Sequence, residues 1–176
     1  LRRAAAAAGI VAEGNSPRAG LDFMAPRRKF AAKARRGKLY LDPRSYARYD
    51  PLASVVKSLD APGTARLIRE LSPIFQEACQ EIGCWKDGFD AVLLKAIRHL
   101  LDTPMVAGDI RIRKKVVSYL IAEPELEGLS DAQKHLLRMG PANTAKIQAK
   151  LREFALAYGF PQTELPAPRR YSPKIR

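Results

Sequence analysis

Leu126-Glu-Gly-Leu-Ser-Asp-Ala-Gln-Lys-His-Leu-Leu-Arg-Met-Gly-Pro-Ala-Asn-Thr-Ala-Lys-Ile-Gln-Ala-Lys-Leu-Arg-Glu153 reads as two consecutive helices split at Met139-Gly140-Pro141. Ser130 is placed to accept from an orphan amide of the first turn, and Gln133 three residues on completes a capping box. Asp131 complements the positive end of the helix dipole. Gly140 and Pro141 give a tight break and a pre-set φ for the second start, with Asn143 able to brace the turn. Ile147, Leu151, Phe154, Ala155 and Tyr158 then recur at three and four up to Gly159, so helices are expected over 131–138 and 142–158.

Working upstream, Phe89, Val92, Leu93, Ala96, Ile97, Leu100 and Leu101 share one helical face and form the best candidate for the centre of the core. Asp42-Pro43, Asp50-Pro51 and Asp60-Ala61-Pro62 each read as an N-cap with proline in the first turn. The second of these opens a helix whose Leu52, Val55, Val56 and Leu59 should face the core. A long apolar stripe from Ala65 to Ile82 ends at Gly83, and Pro73 inside it should kink the helix near Glu70. Trp85 is expected to anchor the following turn. Lys38-Leu39-Tyr40-Leu41 alternates like an edge strand, and Ile110-Arg111-Ile112-Arg113 like a short extended piece leading into a turn of helix through Ile121. The expectation is a mainly α, compact bundle of about five or six helices over residues 38–160, with room for a short β element.

Charge divides the chain. Residues 1–50 carry twelve Lys and Arg against four Asp and Glu, residues 51–125 ten against ten, and residues 126–176 nine against four. A neutral globule between a basic N-terminal arm (1–37) and a Pro/Arg-rich basic tail (161–176) follows. Such ends attract acidic protein surfaces, anionic lipid headgroups or nucleic acid. No aromatic-rich basic strand is present to stack bases, which weakens the last option. No run of about 18 apolar residues is available to span a membrane. The chain opens on Leu1 rather than Met, so a removed or omitted upstream segment, a signal or anchor among the options, is expected. Cys79 and Cys84 make no disulfide framework; they read as small semi-buried side chains or a single local pair.

Tyr46-Ala-Arg48-Tyr49-Asp50-Pro51-Leu52, Leu59-Asp60, the Leu-Leu-x-Ala-Ile-x-His-Leu-Leu-x-Thr-Pro core of Phe89 to Pro104, and the 126–141 motif follow one another in a characteristic order. Over residues 38–158 they resemble the uncharacterised bacterial family called domain of unknown function three-zero-one-four. The resemblance implies a helical domain in the bacterial cell envelope, periplasmic or membrane-associated, with no assigned catalytic residues.

Chemistry has little support in the motifs. The two histidines, His99 and His135, lack a spaced carboxylate motif, so no metal site is defined and no cofactor is expected. No Walker loop, nucleophile elbow or dinucleotide fingerprint is present. The reading is a non-catalytic accessory or scaffold subunit whose arms clamp a larger, membrane-associated protein assembly: Arg27, Arg28, Lys29, Lys33, Arg35 and Arg36 on one side, Arg169, Arg170, Lys174 and Arg176 on the other. Lys134, Arg138 and His99 mark a secondary site at the interhelical corner. The alternative is a ribonucleoprotein component that uses the same cations on phosphates, and a remote one is a small hydrolase centred on His99.

Overall fold

The computed structural model describes residues 1–81, 88–116 and 118–173, with all their side chains except those of Ala19 and Cys79. The roles read for Gly83, Cys84 and Trp85, and for Lys174 and Arg176, lie outside the described residues.

Nine helices are present among the described residues: α1 (Arg2–Ala12), α2 (Pro43–Ala47), α3 (Asp50–Ser58), α4 (Ala61–Glu70), α5 (Ser72–Glu81), α6 (Gly88–Leu101), α7 (Pro124–Glu127), α8 (Asp131–Leu137) and α9 (Pro141–Tyr158). Six strands accompany them: β1 (Ala32–Arg35), β2 (Lys38–Leu41), β3 (Met105–Val106), β4 (Arg111–Lys115), β5 (Ser118–Ile121) and β6 (Arg170–Tyr171). The expected bundle of about five or six helices with long basic arms and room for a short β element is therefore wrong: a four-stranded antiparallel sheet in the order β1-β2-β4-β5 is a full part of the architecture.

Local turn chemistry explains the sheet. Arg36 and Gly37 both take positive φ (50° and 72°), with Arg35 opposite Lys38, which is the two-residue hairpin turn that matches strand twist. The strand at 38–41 is thus an inner one, paired to β1 on one side and to β4 through Leu39↔Ile112 and Tyr40↔Arg111 on the other. Residues 118–121 do not turn into helix, because β5 folds back antiparallel on β4. Leu41, Ile112 and Ile121 from the sheet pack with Val106, Ile110, Leu126 and Leu137 into one buried cluster.

The first residues are helix, not arm. Ala5, Val11 and Ala12 are buried, the first among Phe75, Ala78 and Phe89, the others among Val92, Ala96 and Ala132. Alanine's small size lets α1 approach α5 and α6 closely, and Arg2–Glu81 and Lys95–Glu13 ion pairs (both 2.8 Å) lie along its flanks. The tail also returns to the body. Leu165 is buried beside Phe154 and Tyr158, and β6 pairs parallel with β3 through Met105 N to Arg169 O (2.9 Å) and Ala107 N to Tyr171 O (2.8 Å).

Other expectations hold in detail. Asp42 and Asp60 cap α2 and α4, and the Ser130/Gln133 capping box is formed in both directions. Phe89, Val92, Ala96, Ile97 and Leu101 are buried as read. Three readings change. Asp50 is the first helical residue rather than a cap, and its carboxylate accepts from Asn143 Nδ2 (2.8 Å). Pro73 lies in the first turn of α5, so the expected kink is a full break at Leu71. On α3 the buried residue is Ala53, while Val55 and Leu59 are 61% and 44% exposed, so the core-facing side is rotated from the one periodicity suggested.

Gly140 is required at the α8–α9 break. Its φ is 88°, and a Cβ there would penetrate the Tyr46 ring. Gly159 has a similar φ of 102° with nothing near. Gly140→Ala should cost about 3 kcal/mol, combining backbone strain with overpacking, and Gly159→Ala about 1 kcal/mol from strain alone. Urea unfolding of both variants measures the difference; equal losses would mean that the Tyr46 contact is unimportant.

Candidate anion-binding face

In an antiparallel sheet, directly opposed residues share a face and successive residues alternate. The register puts Ala32, Ala34, Leu39, Leu41, Ile112 and Ile121 on the inner side. Lys33, Tyr40 and Arg111 then align in one outward row, Arg35 lies opposite Lys38, Arg113 lies opposite Leu120, and Lys115 lies opposite Ser118. The outward side consequently gathers Lys33, Arg35, Lys38, Arg111, Arg113 and Lys115, with Arg36 at the β1–β2 turn. Strand spacing and rise set the grid at about 5 Å across and 7 Å along.

One carboxylate answers part of this charge. Asp109 accepts Lys33 Nζ at 2.8 Å and Arg35 Nη1 at 3.1 Å. Among the described residues, Arg111, Arg113, Lys114 and Lys115 have no ion pair. Among the described residues the one ring on the face, Tyr40, is half-buried, and the Arg35 guanidinium sits 4.9 Å from its centroid.

The residues read as clamps separate in space. Lys33, Arg35 and Arg36 join the sheet. Arg27, Arg28 and Lys29 are exposed just before β1, where Arg48 Nη1 donates to the Arg28 carbonyl (3.1 Å). Arg169 is held by Asp102 (3.0 Å), and Arg170 is exposed on β6. Lys38, Arg111, Arg113 and Lys115 were not singled out from the sequence. The signal was there in the alternation of 33–35 and of 110–113, but joining the two strands needs the pairing.

The secondary site dissolves into structural contacts. Lys134 pairs with Asp131 (3.3 Å) and Glu127 (3.5 Å), while Arg138 lies near His135. His99 Nε2 shares a hydrogen bond with Ser130 Oγ at 2.6 Å, and His135 Nδ1 shares one with Ser16 Oγ at 2.7 Å. The first joins α6 to the start of α8, and the second binds the segment after α1 to α8, as does the bond from Ala132 N to Gly14 O (3.0 Å). Burial lowers both imidazole pKa values; Lys95 assists at His99 against the opposing Asp102, and Arg138 and Arg18 assist at His135.

An open cleft of about 500 Å³ is lined by Arg69, Ser72, Gln76, Phe89 and Asp90. Its polar groups are committed to helix contacts: Asp90 accepts from the Tyr158 hydroxyl (2.6 Å), Gln76 from Phe89 N (2.7 Å), and Arg69 donates to Tyr158 O (3.2 Å). Among the described residues no group of three His, Cys, Asp or Glu could hold a metal ion, and no helix is long and apolar enough to cross a membrane.

The class defined by this arrangement is a mainly helical domain that backs one antiparallel sheet and turns that sheet's cationic side to solvent. The chain belongs to the family described as protein of unknown function (DUF3014), whose model matches residues 1–155. The match takes in residues 1–37, beyond the stretch that carried the resemblance. No curated protein and no solved structure matches the chain.

The two histidines give a pH dependence with a definite sign. Each is harder to protonate in the fold than in the unfolded chain, where the value is about 6.5, so the unfolded state takes up protons first. Their contribution is intact above that value and lost as pH falls through it toward the lowered folded values. Asp42, held at about 2 by its Arg44 partner, titrates well below this window. The thermal midpoint should therefore fall between about pH 7.5 and 5.5, and His135→Gln should flatten the fall. A midpoint independent of pH over that range would exclude the imidazoles as the cause.

Proposed function

We propose that the protein is a non-catalytic accessory or scaffold subunit that docks onto an anionic surface of a larger, membrane-associated assembly. The observation that supports it is the single outward sheet face carrying Lys33, Arg35, Lys38, Arg111, Arg113 and Lys115. A planar set of cations on a rigid sheet complements an extended anionic surface and steers its approach. The apolar inner side keeps the positions of the cations fixed, so little ordering cost remains to be met on docking. Arg27, Arg28 and Lys29 extend the same sign of charge at the entry to β1, and an envelope location accords with this reading.

The test is a tagged purification from the native source after nuclease treatment, comparing the wild-type chain with Arg113→Glu/Lys115→Glu. Both side chains are exposed, so the variant should keep its thermal midpoint. A defined set of nuclease-resistant partners should be retained by the wild type and fall by about tenfold or more with the variant. Release of everything by nuclease would overturn the reading in favour of a ribonucleoprotein role.

A further inference from the structure

We infer that the anionic surface is that of a lipid bilayer, and that Val116, directly after β4, enters its headgroup layer. This rests on the docking reading of the sheet face and names its partner.

The argument begins at Val116. It is 91% exposed, the most open of the large apolar side chains among the described residues, directly after β4. The strand that leads to it is cationic on both sides of the ribbon. Lys115 opposes Ser118 and shares the outward side with Arg113, whereas Lys114 opposes Tyr119 and shares the side of Ile112. All three cations are exposed. An apolar side chain that follows three long basic ones suits the interface, where the valine leaves water for the acyl boundary while ammonium and guanidinium groups reach phosphate oxygens.

Other anionic partners use this geometry less well. Single-stranded nucleic acid calls for open aromatic platforms, and Tyr40 is half-buried beneath Arg35. A duplex would engage the cations but leave Val116 facing water and phosphate. An acidic protein would need a dedicated pocket for one valine. The grid of cations behind the valine, about 5 by 7 Å, is two-dimensional, as a headgroup layer is and a phosphate strand is not.

The test is flotation of the full chain with vesicles of phosphatidylcholine alone or of phosphatidylcholine mixed with phosphatidylglycerol, with duplex DNA binding measured in the same buffer. The chain should float with the mixed vesicles only. Val116→Ser should weaken that binding about fivefold without moving the thermal midpoint, as partial loss of one valine's burial requires. Lys114→Gln/Lys115→Gln should weaken it by more than tenfold. Equal binding of Val116→Ser and wild type would overturn insertion, as would tighter binding to DNA than to the mixed vesicles. Failure to float, with partners still captured through Arg113 and Lys115, would overturn the lipid assignment and leave the docking face standing. Failure of both would overturn both.

Discussion

Three polar side chains buried on one helix set the positions of the surrounding elements. Thr144 Oγ1 donates to Leu136 O (3.0 Å) in the last turn of α8. Gln148 Nε2 donates to Leu100 O (2.9 Å) and Thr103 O (2.8 Å), where α6 ends. Asn143 Nδ2 reaches Tyr46 O (3.2 Å) in α2 and Met139 O (3.0 Å), besides Asp50. At three of these helix ends the carbonyl already accepts one backbone amide, Leu136 O from Met139 N, Leu100 O from Thr103 N and Tyr46 O from Tyr49 N, and the side chain of α9 fills its second acceptor position. Helix α9 takes the place of water at the ends of α2, α6 and α8, which allows those ends to be buried. A shift of α9 by one residue would take the buried Asn143, Thr144 and Gln148 side chains away from their acceptors together, at about 1–3 kcal/mol for each donor left buried and unpaired.

From that constraint the sheet follows. With α8 fixed by Thr144, Leu137 and the neighbouring Leu126 of α7 present an apolar floor for Ile112 and Ile121. The strap from residue 160 closes the same cluster, because β6 on β3 brings Tyr171 beside Val106. The inner side of the sheet is thereby committed, and the pleat decides the rest: every second residue of β1, β2 and β4 must face out. A one-residue slip would send Leu39 and Ile112 to solvent and bury Arg111 and Arg113. Register and cationic surface are therefore one feature.

What could be read from the sequence divides along the same line. Elements whose signal is local were legible: the Ser130/Gln133 box, the Asp42 and Asp60 caps, and the Phe89–Leu101 stripe. The N-terminal helix was hidden because its buried side is built of alanine, Ala5 and Ala12 with Val11, which carries little hydrophobic contrast against Ala4 and Ala6. The sheet was hidden because pairing is non-local. Arg36-Gly37 is a weaker hairpin signal than Asn-Gly, and the cations around it read as solvated charge. Charge bookkeeping concealed β4 as well. Residues 51–125 balance at ten against ten, yet Arg111, Arg113, Lys114 and Lys115 lie in one strand that holds none of the acidic residues.

The cationic side is stabilised by the residues behind it and not by itself. Neighbouring unit charges about 7 Å apart repel by about 0.6 kcal/mol in bulk water, reduced further by salt at that range. Asp109 offsets part of this at Lys33 and Arg35, but nothing comparable lies at Arg113 or Lys115 among the described residues. Burial of Leu41, Ile112 and Ile121 contributes about 1.5–3 kcal/mol each, enough to carry the repulsion. The cations therefore cost stability in the free protein, and any anion layer that meets them returns it. The same distribution protects one edge of the sheet: β1 carries Lys33 and Arg35, so a second copy approaching that edge meets like charge before its strands can pair. A face that repels its own kind and gains from an anionic plane is selective in a way that a neutral sheet with the same backbone would not be.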